Sequence, residues 1–491
     1  MIKENNKQCA IVGAGIAGIA ASIRMRNKGY AVTVYEANSF PGGKLSTETE
    51  KGYRFDMGPS VFTYPEFVDE LFQLSGKNPR EYFNYEKLDP VYQYFFEDGT
   101  TLDAFHGKEA FAKAMAEKTI DSAEDIIKYL DKTATIYNLT AEVFLYNSLH
   151  IPKNYFTKRV VKGILNFGKI GAFDTMNEAN SKAFKDPRLV QIANRYSTYN
   201  GSSPYLAPAT LNVIPYVEIV KGAFYPRGGM FSIASSLVQL AKDIGVQFNF
   251  STPVREILIE NKKIKGVSTD AGNTDYDVVI SNMDVYNSYQ KLLPNVKKPK
   301  KTLDQPKSSS GIIFYWGIKH DFKQLRLHNI LFSANYEEEF DTIFSKKTIY
   351  PDPTIYINIT SKHTPTDAPP GGENWFAFIN VPNNSGQDWD KLVSEARKNM
   401  IAKINRLLNT DIEPMIEAEL VFDPRVIEKR TSSAFGAIYG NSSNNKFAAF
   451  KRHPNFSKEI KNLYFCGGSV HPGPSIPLCL LSAKITAGLV N

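Results

Sequence analysis

An α/β fold built on a Rossmann-like dinucleotide-binding sheet is the class this sequence predicts, and three stretches predict it. The first, "CAIVGAGIAGIAASIRM" at 9–25, is a short apolar strand, a G-x-G-x-x-G turn and an Ala/Ile-rich helix. The second, "AVTVYE", is a strand that closes on an acid, Glu36. The third, "NLYFCGGSVHPGPSIPLCLLSAK", is a late strand running through glycines and prolines into an apolar helix.

In the first stretch Gly13 permits the tight turn and Gly15 lets the backbone approach a pyrophosphate. Gly18 lets helix and strand pack closely, and the helix N-terminus offers free N–H groups to the anion. Glu36 stands where a carboxylate accepts hydrogen bonds from an adenosine ribose and repels a 2′-phosphate. A glycine turn that binds nothing is the competing reading, and strand, helix and acid in register weigh against it.

The next residues bear on which dinucleotide. "NSFPGGKLST" puts Gly42, Gly43 and Lys44 just past the second strand, and "GYRFDMGPSVF" follows with Asp56, Gly58, Pro59 and Ser60. A second glycine pair with a cation beside a pyrophosphate suits an extended cofactor such as FAD, and a nicotinamide domain has no need of it. A simple turn is the alternative for "PGGK" taken alone.

The chain has 491 residues, a net charge of +7 and 42% hydrophobic residues, a composition that allows two or three packed lobes and excludes a disordered or repeat protein. Its three cysteines have no metal-ligand spacing and make no disulfide framework, so a reducing, cytoplasmic compartment is expected. No G-x-S-x-G, zinc spacing or Cys-x-x-Cys occurs, so no metal and no nucleophile are expected. The basic run "KKPKK" at 297–301 contains a proline and reads as a solvated loop, with no nucleic-acid partner expected. The polar start "MIKENNKQ" argues against a signal peptide, and no apolar run reaches the length of a spanning helix.

Four stretches, "VGAGIAGIAASIRMRNKGYAVTVYEANSFPGGK", "GYRFDMGPSVF", "YPRGGMFSIASSLVQLAKDIGVQFNFSTPVREI" and the C-terminal "NLYFCGGSVHPGPSIPLCLLSAKITAGL", together resemble the bacterial carotenoid (phytoene-type) desaturase family of flavoproteins. Within that family the likeness is greatest to the hydroxycarotenoid 3,4-desaturase branch. The resemblance implies noncovalent FAD, a long polyene substrate drawn from a membrane, and removal of two hydrogens to extend its conjugation. Carried over by position, FAD contacts fall at Gly13, Gly15, Ile16, Gly18, Glu36, Gly43, Lys44, Ser60, Val61, Val254, Asn282, Gly468 and Ile476. Lys44 departs from the Arg of many relatives, which keeps the charge and loses the bidentate fork. The resemblance assigns no proton acceptor. His471, between Val470 and Pro472, is a weak candidate for direct catalysis, and holding the loop by hydrogen bonds is an equally good role for it.

The implied architecture is an amine-oxidase/phytoene-desaturase type FAD-binding domain from 1–94, 222–285 and 455–491, a mixed-sheet substrate domain at 286–454 and a helical membrane-facing subdomain at 95–221. "SSSGIIFYWGI" and "TIYINIT" read as strands, "VYQYFF" as a half-buried strand, and "DKLVSEARKNMIAKINRLL" as a strong amphipathic helix. In "FTKRVVKGILNFGKIGAF", Val161, Ile164, Leu165 and Ala172 share one side and Lys158, Lys162, Asn166 and Lys169 the other. Such an element suits a membrane surface or an ordinary surface helix equally. One dinucleotide fingerprint without a second predicts that electrons leave to a membrane quinone or oxygen, on the inner face of a bacterial membrane. A carotene isomerase, a retinol-saturase-like flavoenzyme and a non-catalytic lipid-binding flavoprotein are the competing functions.

Overall fold

The computed structural model describes residues 6–156, 171 and 173–490. Its cofactor sheet has five parallel strands, β1 (Gln8–Val12), β2 (Ala31–Tyr35), β3 (Gln247–Asn249), β4 (Val278–Ser281) and β5 (Leu463–Phe465), in the order β5-β4-β1-β2-β3. The apolar run of β1 is buried on both faces after Gln8, as a central parallel strand must be. The register pairs Val12 with both Tyr35 and Ser281, and Ser281 with Phe465. The residues that follow these ends, Gly13, Glu36, Asn282 and Cys466, therefore emerge along one edge, where open α/β sheets bind ligands.

Three helices cover this sheet: α1 (Ile16–Asn27), α2 (Phe231–Asp243) and α3 (Ile476–Leu489), with α1 packed against both others. Helix α1 is buried on nearly all sides from Ile16 to Met25, which explains its lack of a polar face. An antiparallel meander, Val254–Glu260, Lys263–Thr269 and Gly272–Asp275, adjoins the sheet through Val254, Ile257 and Val267, which pack with Ala10, Val12 and Tyr35.

The second layer is a seven-stranded mixed sheet in the order Ile416–Phe422, Ser310–Ile318, Glu373–Val381, Ile355–Ile359, His328–Leu331, Tyr92–Phe95 and Thr101–Ala104. One face carries Phe314, Trp316, Ile357 and Trp375 into a core under the helix Trp389–Leu408. That helix starts where Asp388 accepts from Lys391 N–H and stops at Asn409, in the left-handed region. The strand expected in "VYQYFF" is Tyr92–Phe95, but all four residues are buried because helices cover its outer face. Residue 94, where the first cofactor segment was expected to end, lies inside this strand, so the hairpin 92–104 belongs to the second sheet.

From 105 to 221 the described residues are mainly helical, with Ala123–Phe144, Met176–Ala183 and Pro187–Asn194 capped by Ser122, Thr175 and Asp186. Most of the basic amphipathic stretch, 157–170 and 172, lies outside the described residues. Among the described residues no helix is long and apolar enough to cross a membrane.

Candidate flavin site

The glycine turn is built for a ligand's close approach. Gly13 adopts φ +98°, which favours glycine, and its N–H donates to the Tyr35 carbonyl at 2.7 Å. A Cβ on Gly18 would lie 2.1 Å from the Gly13 carbonyl oxygen, so α1 meets β1 closely only because Gly18 has none. The second glycine pair comes to the same place. Gly42 bridges Gly15 in parallel, its N–H donating to the Ala14 carbonyl at 2.8 Å, and a Cβ on Gly43 would lie 3.3 Å from Gly15 Cα. Two turns far apart in type thus form one cradle that any side chain would fill, which fits a pyrophosphate-bearing cofactor.

Glu36 is buried at the end of β2, and its Oε2 accepts from Ala14 N–H at 2.7 Å while Oε1 accepts from Asn38 N–H at 2.8 Å. The carboxylate that would meet a ribose also holds the glycine turn in shape. Val254 opens the meander beside Val12 and Tyr35, close to this end of the sheet. Asn282 follows β4, and its Nδ2 donates to the Cys466 carbonyl at 3.1 Å. The Lys44 ammonium is buried and donates to the Ile438 carbonyl at 2.5 Å. Burial lowers its pKa, with Asp284 and Cys479 pulling the other way, and burial raises that of Asp284 against the pull of Lys44 and Lys307.

The C-terminal loop closes the far end. Gly468 passes Pro474 so closely that a Cβ would lie 3.3 Å from Pro474 Cα. Helix α3 begins at Ile476, with Pro477 second, which has no N–H to leave unsatisfied. Ser475 Oγ accepts from Leu478 N–H at 3.4 Å, so Ile476 N–H is the amide of this turn left without a hydrogen bond among the described residues. Asn455 and Ser482, which no sequence motif flagged, donate to the His471 carbonyl at 2.8 Å each and hold the loop. His471 itself is buried, with Nε2 2.8 Å from the Asn147 carbonyl. Burial pushes its imidazole down to about 4, so the ring is neutral and donates.

Ser60 and Val61 leave the cofactor layer for the second sheet. Ser60 Oγ is 2.8 Å from Tyr356 OH, and Val61 packs against the cluster around Tyr92. The sheet face they meet is ordered by register into two rows, Phe422–Ile313–Phe378–Tyr356 and Leu420–Tyr315–Phe376–Asn358–His328. This floor is aromatic and aliphatic along most of its width, with Tyr356, Asn358 and His328 at one end. Asp56, quoted with the "FDMGPS" stretch but given no role from sequence, caps α2: its oxygens accept from Met230 and Phe231 N–H at 2.7 and 3.1 Å. No cluster of three His, Cys, Asp or Glu side chains suited to a metal occurs among the described residues.

A family profile for flavin containing amine oxidoreductase matches residues 16–491. The chain is 52% identical over 484 residues, 99% of each chain, to a protein described as 1-hydroxycarotenoid 3,4-desaturase from Flavobacterium sp. (strain P99-3). It is 32% identical to the phytoene desaturase of Fusarium fujikuroi over 98% of this chain and 88% of that one. Among solved structures an oxidoreductase from Methanosarcina mazei aligns with a TM-score of 0.65 over 97% of this chain and 99% of its own, at 15% identity, which speaks to the fold alone.

Proposed function

This chain belongs to the flavin-containing amine oxidoreductase family, and from that premise we propose that it is an FAD-dependent desaturase forming the 3,4 double bond of a 1-hydroxylated C40 carotenoid. The observation that carries the reading is the 52% identity along 99% of both chains to a protein described by that activity. The same sheet face agrees with it in chemistry, since the partly exposed side chains of Phe378, Leu420 and Phe422 would give a polyene apolar contact and no hydrogen bonds.

When bound, FAD supplies a two-electron acceptor for a hydride. The residues proposed to hold it are the Gly13–Gly18 turn with Ile16 at the head of α1, Glu36 at the ribose, Gly43 with Lys44 near the pyrophosphate, and Val254 near the adenine. Asn282 and Lys44 act at least partly through the backbone they brace, at Cys466 and Ile438. Gly468 and the Ile476 N–H would meet the pyrimidine end, where a helix N-terminus stabilises negative charge. Departure of hydride from an allylic carbon builds positive charge along the polyene, so alignment over the floor is the protein's main contribution. For His471, the bonds to Asn147, Asn455 and Ser482 support loop-holding over catalysis.

The cofactor lobe in this reading comprises 1–91, 222–285 and 455–491, the substrate lobe 286–454 with the hairpin 92–104, and the helical part the region up to 221. A peripheral site on the inner face of a bacterial membrane, with a quinone or oxygen as electron acceptor, follows from the insoluble substrate and the single dinucleotide turn. The test is incubation of FAD-loaded protein with liposomes carrying hydroxylated or unhydroxylated carotenoids, followed by chromatography with mass detection. A loss of two mass units and a red-shifted spectrum confined to hydroxylated substrates is expected. An unchanged mass with altered geometry would favour an isomerase, and binding without flavin reduction a lipid-binding flavoprotein.

A further inference from the structure

Desaturation removes a proton as well as a hydride, and one end of the floor is equipped to receive it. Tyr356 is half-buried on the face of the sheet against which Tyr53, Phe55 and Met57 pack, whereas His328, in the adjacent row, is 1% exposed. Their hydrogen bonds define which atom carries which proton. Asn358 Nδ2 donates to the Leu327 carbonyl at 3.1 Å and lies 3.0 Å from His328 Nδ1. The opposite amide orientation would set two oxygens against each other, so Nδ1 is an acceptor and bears no hydrogen. Tyr356 O–H, 2.8 Å from the same nitrogen, therefore donates to it, and Ser60 O–H donates to the Tyr356 oxygen at 2.8 Å. Of the phenol oxygen's two lone pairs, Ser60 occupies one. His328 Nε2 then holds the ring hydrogen, and it has no partner among the described residues.

We propose that Tyr356 takes up the substrate's second proton as it passes its own to His328 Nδ1, the two acting together as the base that completes the double bond. The proposal rests on the desaturase reading above. One C–H bond breaks with its electron pair leaving as hydride to FAD. In the same step the neighbouring C–H bond breaks with its proton going to the Tyr356 oxygen and its electron pair becoming the new π bond, so bleaching of the flavin reports both events. The substrate loses two electrons and FAD gains two. The phenol stays neutral throughout, and the imidazolium returns its proton through Tyr356 to solvent once product has left. Tyr356 is the catalytic residue; Ser60 and Asn358 position the pair.

A weak base is sufficient here, because the positive charge that grows along the polyene as hydride leaves acidifies the adjacent C–H. Burial, with His363 and Arg195 adding to it, pushes the His328 imidazole down to about 3, so the ring is unprotonated and able to accept at any physiological pH. Once protonated, Nδ1 would face the Asn358 Nδ2 donor 3.0 Å away, and the Arg195 guanidinium lies 4.3 Å from the Tyr92 ring on which His328 stacks, so both oppose the imidazolium. Return of the proton is thereby favoured.

The decisive experiment is anaerobic mixing of FAD-loaded protein with a hydroxylated carotenoid in liposomes, following the oxidised-flavin absorbance. Tyr356→Phe should slow the bleaching by about 100-fold, the scale of a lost general base, with FAD and carotenoid binding unchanged. The native trace should slow in D2O because an O–H proton is in flight, and Tyr356→Phe should abolish that difference. A native trace indifferent to D2O, or Tyr356→Phe at the native rate, overturns the proposal. Independently of turnover, ¹⁵N spectra of the holoprotein should show His328, assigned by His328→Gln, neutral with Nδ1 unprotonated; a protonated Nδ1 also overturns it. If no carotenoid bleaches the flavin, the desaturase reading fails, and the spectrum alone decides the hydrogen-bond direction.

Discussion

Asn282 Oδ1 stands 2.7 Å from the point a Cβ on Gly15 would occupy. With its Nδ2 donating to the Cys466 carbonyl, this one amide closes the space behind the glycine turn and ties the end of β4 to the end of β5. Three chain segments that meet only in the fold are braced by one side chain.

The brace makes Gly15→Ala more than a change at a ligand-facing surface. The added methyl should displace Asn282, destabilising the fold by about 1–3 kcal/mol, the usual range for overpacking, and leaving purified protein with little flavin absorbance. Gly15→Ala combined with Asn282→Gly should recover part of the stability, because the two sites are in contact and their effects are not additive. Equal denaturant midpoints for the single and double variants would show that the amide is free to move aside.

How much of this was legible in the sequence depends on the range of the interaction. The turn at Gly13–Gly18 and Glu36 could be read because the chemistry is local: strand, turn, helix and acid lie within one βαβ unit. The "PGGK" pair was legible as a second glycine turn suited to a pyrophosphate, but the Gly15–Gly42 bridge was not, since it depends on how the chain returns. The polar corner of the floor was not legible at all. Tyr356, Asn358 and His328 lie in strands whose neighbours are set by sheet register, and a lone tyrosine in "TIYINIT" reads as an ordinary strand residue. Asn455 was missed for the same reason, its partners His471 and Ser482 being supplied by a later segment.

Asp56 links the two layers. Besides capping α2 it pairs with Arg54 at 2.8 Å, and Arg54 reaches Asp367 of the substrate lobe at 3.1 Å. Asp56→Ala would strand two N–H groups at the start of α2 and one side of Arg54. A loss of about 2–4 kcal/mol is expected from those unmet groups, and Asp56→Asn should lose less because one acceptor survives. Guanidinium unfolding of the two variants measures both; equal midpoints would exclude the capping role.

Arg195 and Glu218 form a buried pair at 2.6 Å, with Tyr196 OH and Tyr199 OH also donating to the carboxylate. Because the same guanidinium lies over Tyr92, this pair backs the ring on which His328 stacks. Glu218→Ala should cost about 3–5 kcal/mol by leaving a buried cation unpaired. Replacing both, Arg195→Met with Glu218→Leu, should be milder than the single change. A single variant as stable as the native chain in urea would refute this account.

Acid should destabilise the protein well above the pH at which its carboxylates titrate. Burial holds His328 down to about 3 and His453 and His471 down to about 4, whereas each titrates near 6.5 when unfolded. Between these values the unfolded chain binds up to about three protons that the native chain does not, so this stability is full above about 6.5 and is lost as the pH falls. Glu339 opposes the trend: burial pushes its carboxyl from 4.5 up to about 7, so the native chain keeps a proton that the unfolded chain releases. The net near pH 5 is about two protons, or about 3 kcal/mol per pH unit at most. Unfolding free energies at pH 7, 6 and 5 should therefore fall with increasing steepness, and Glu339→Gln should steepen the fall toward about three protons by removing the opposing group. A native profile that stays level down to pH 5 would mean that these imidazoles are protonated in the fold.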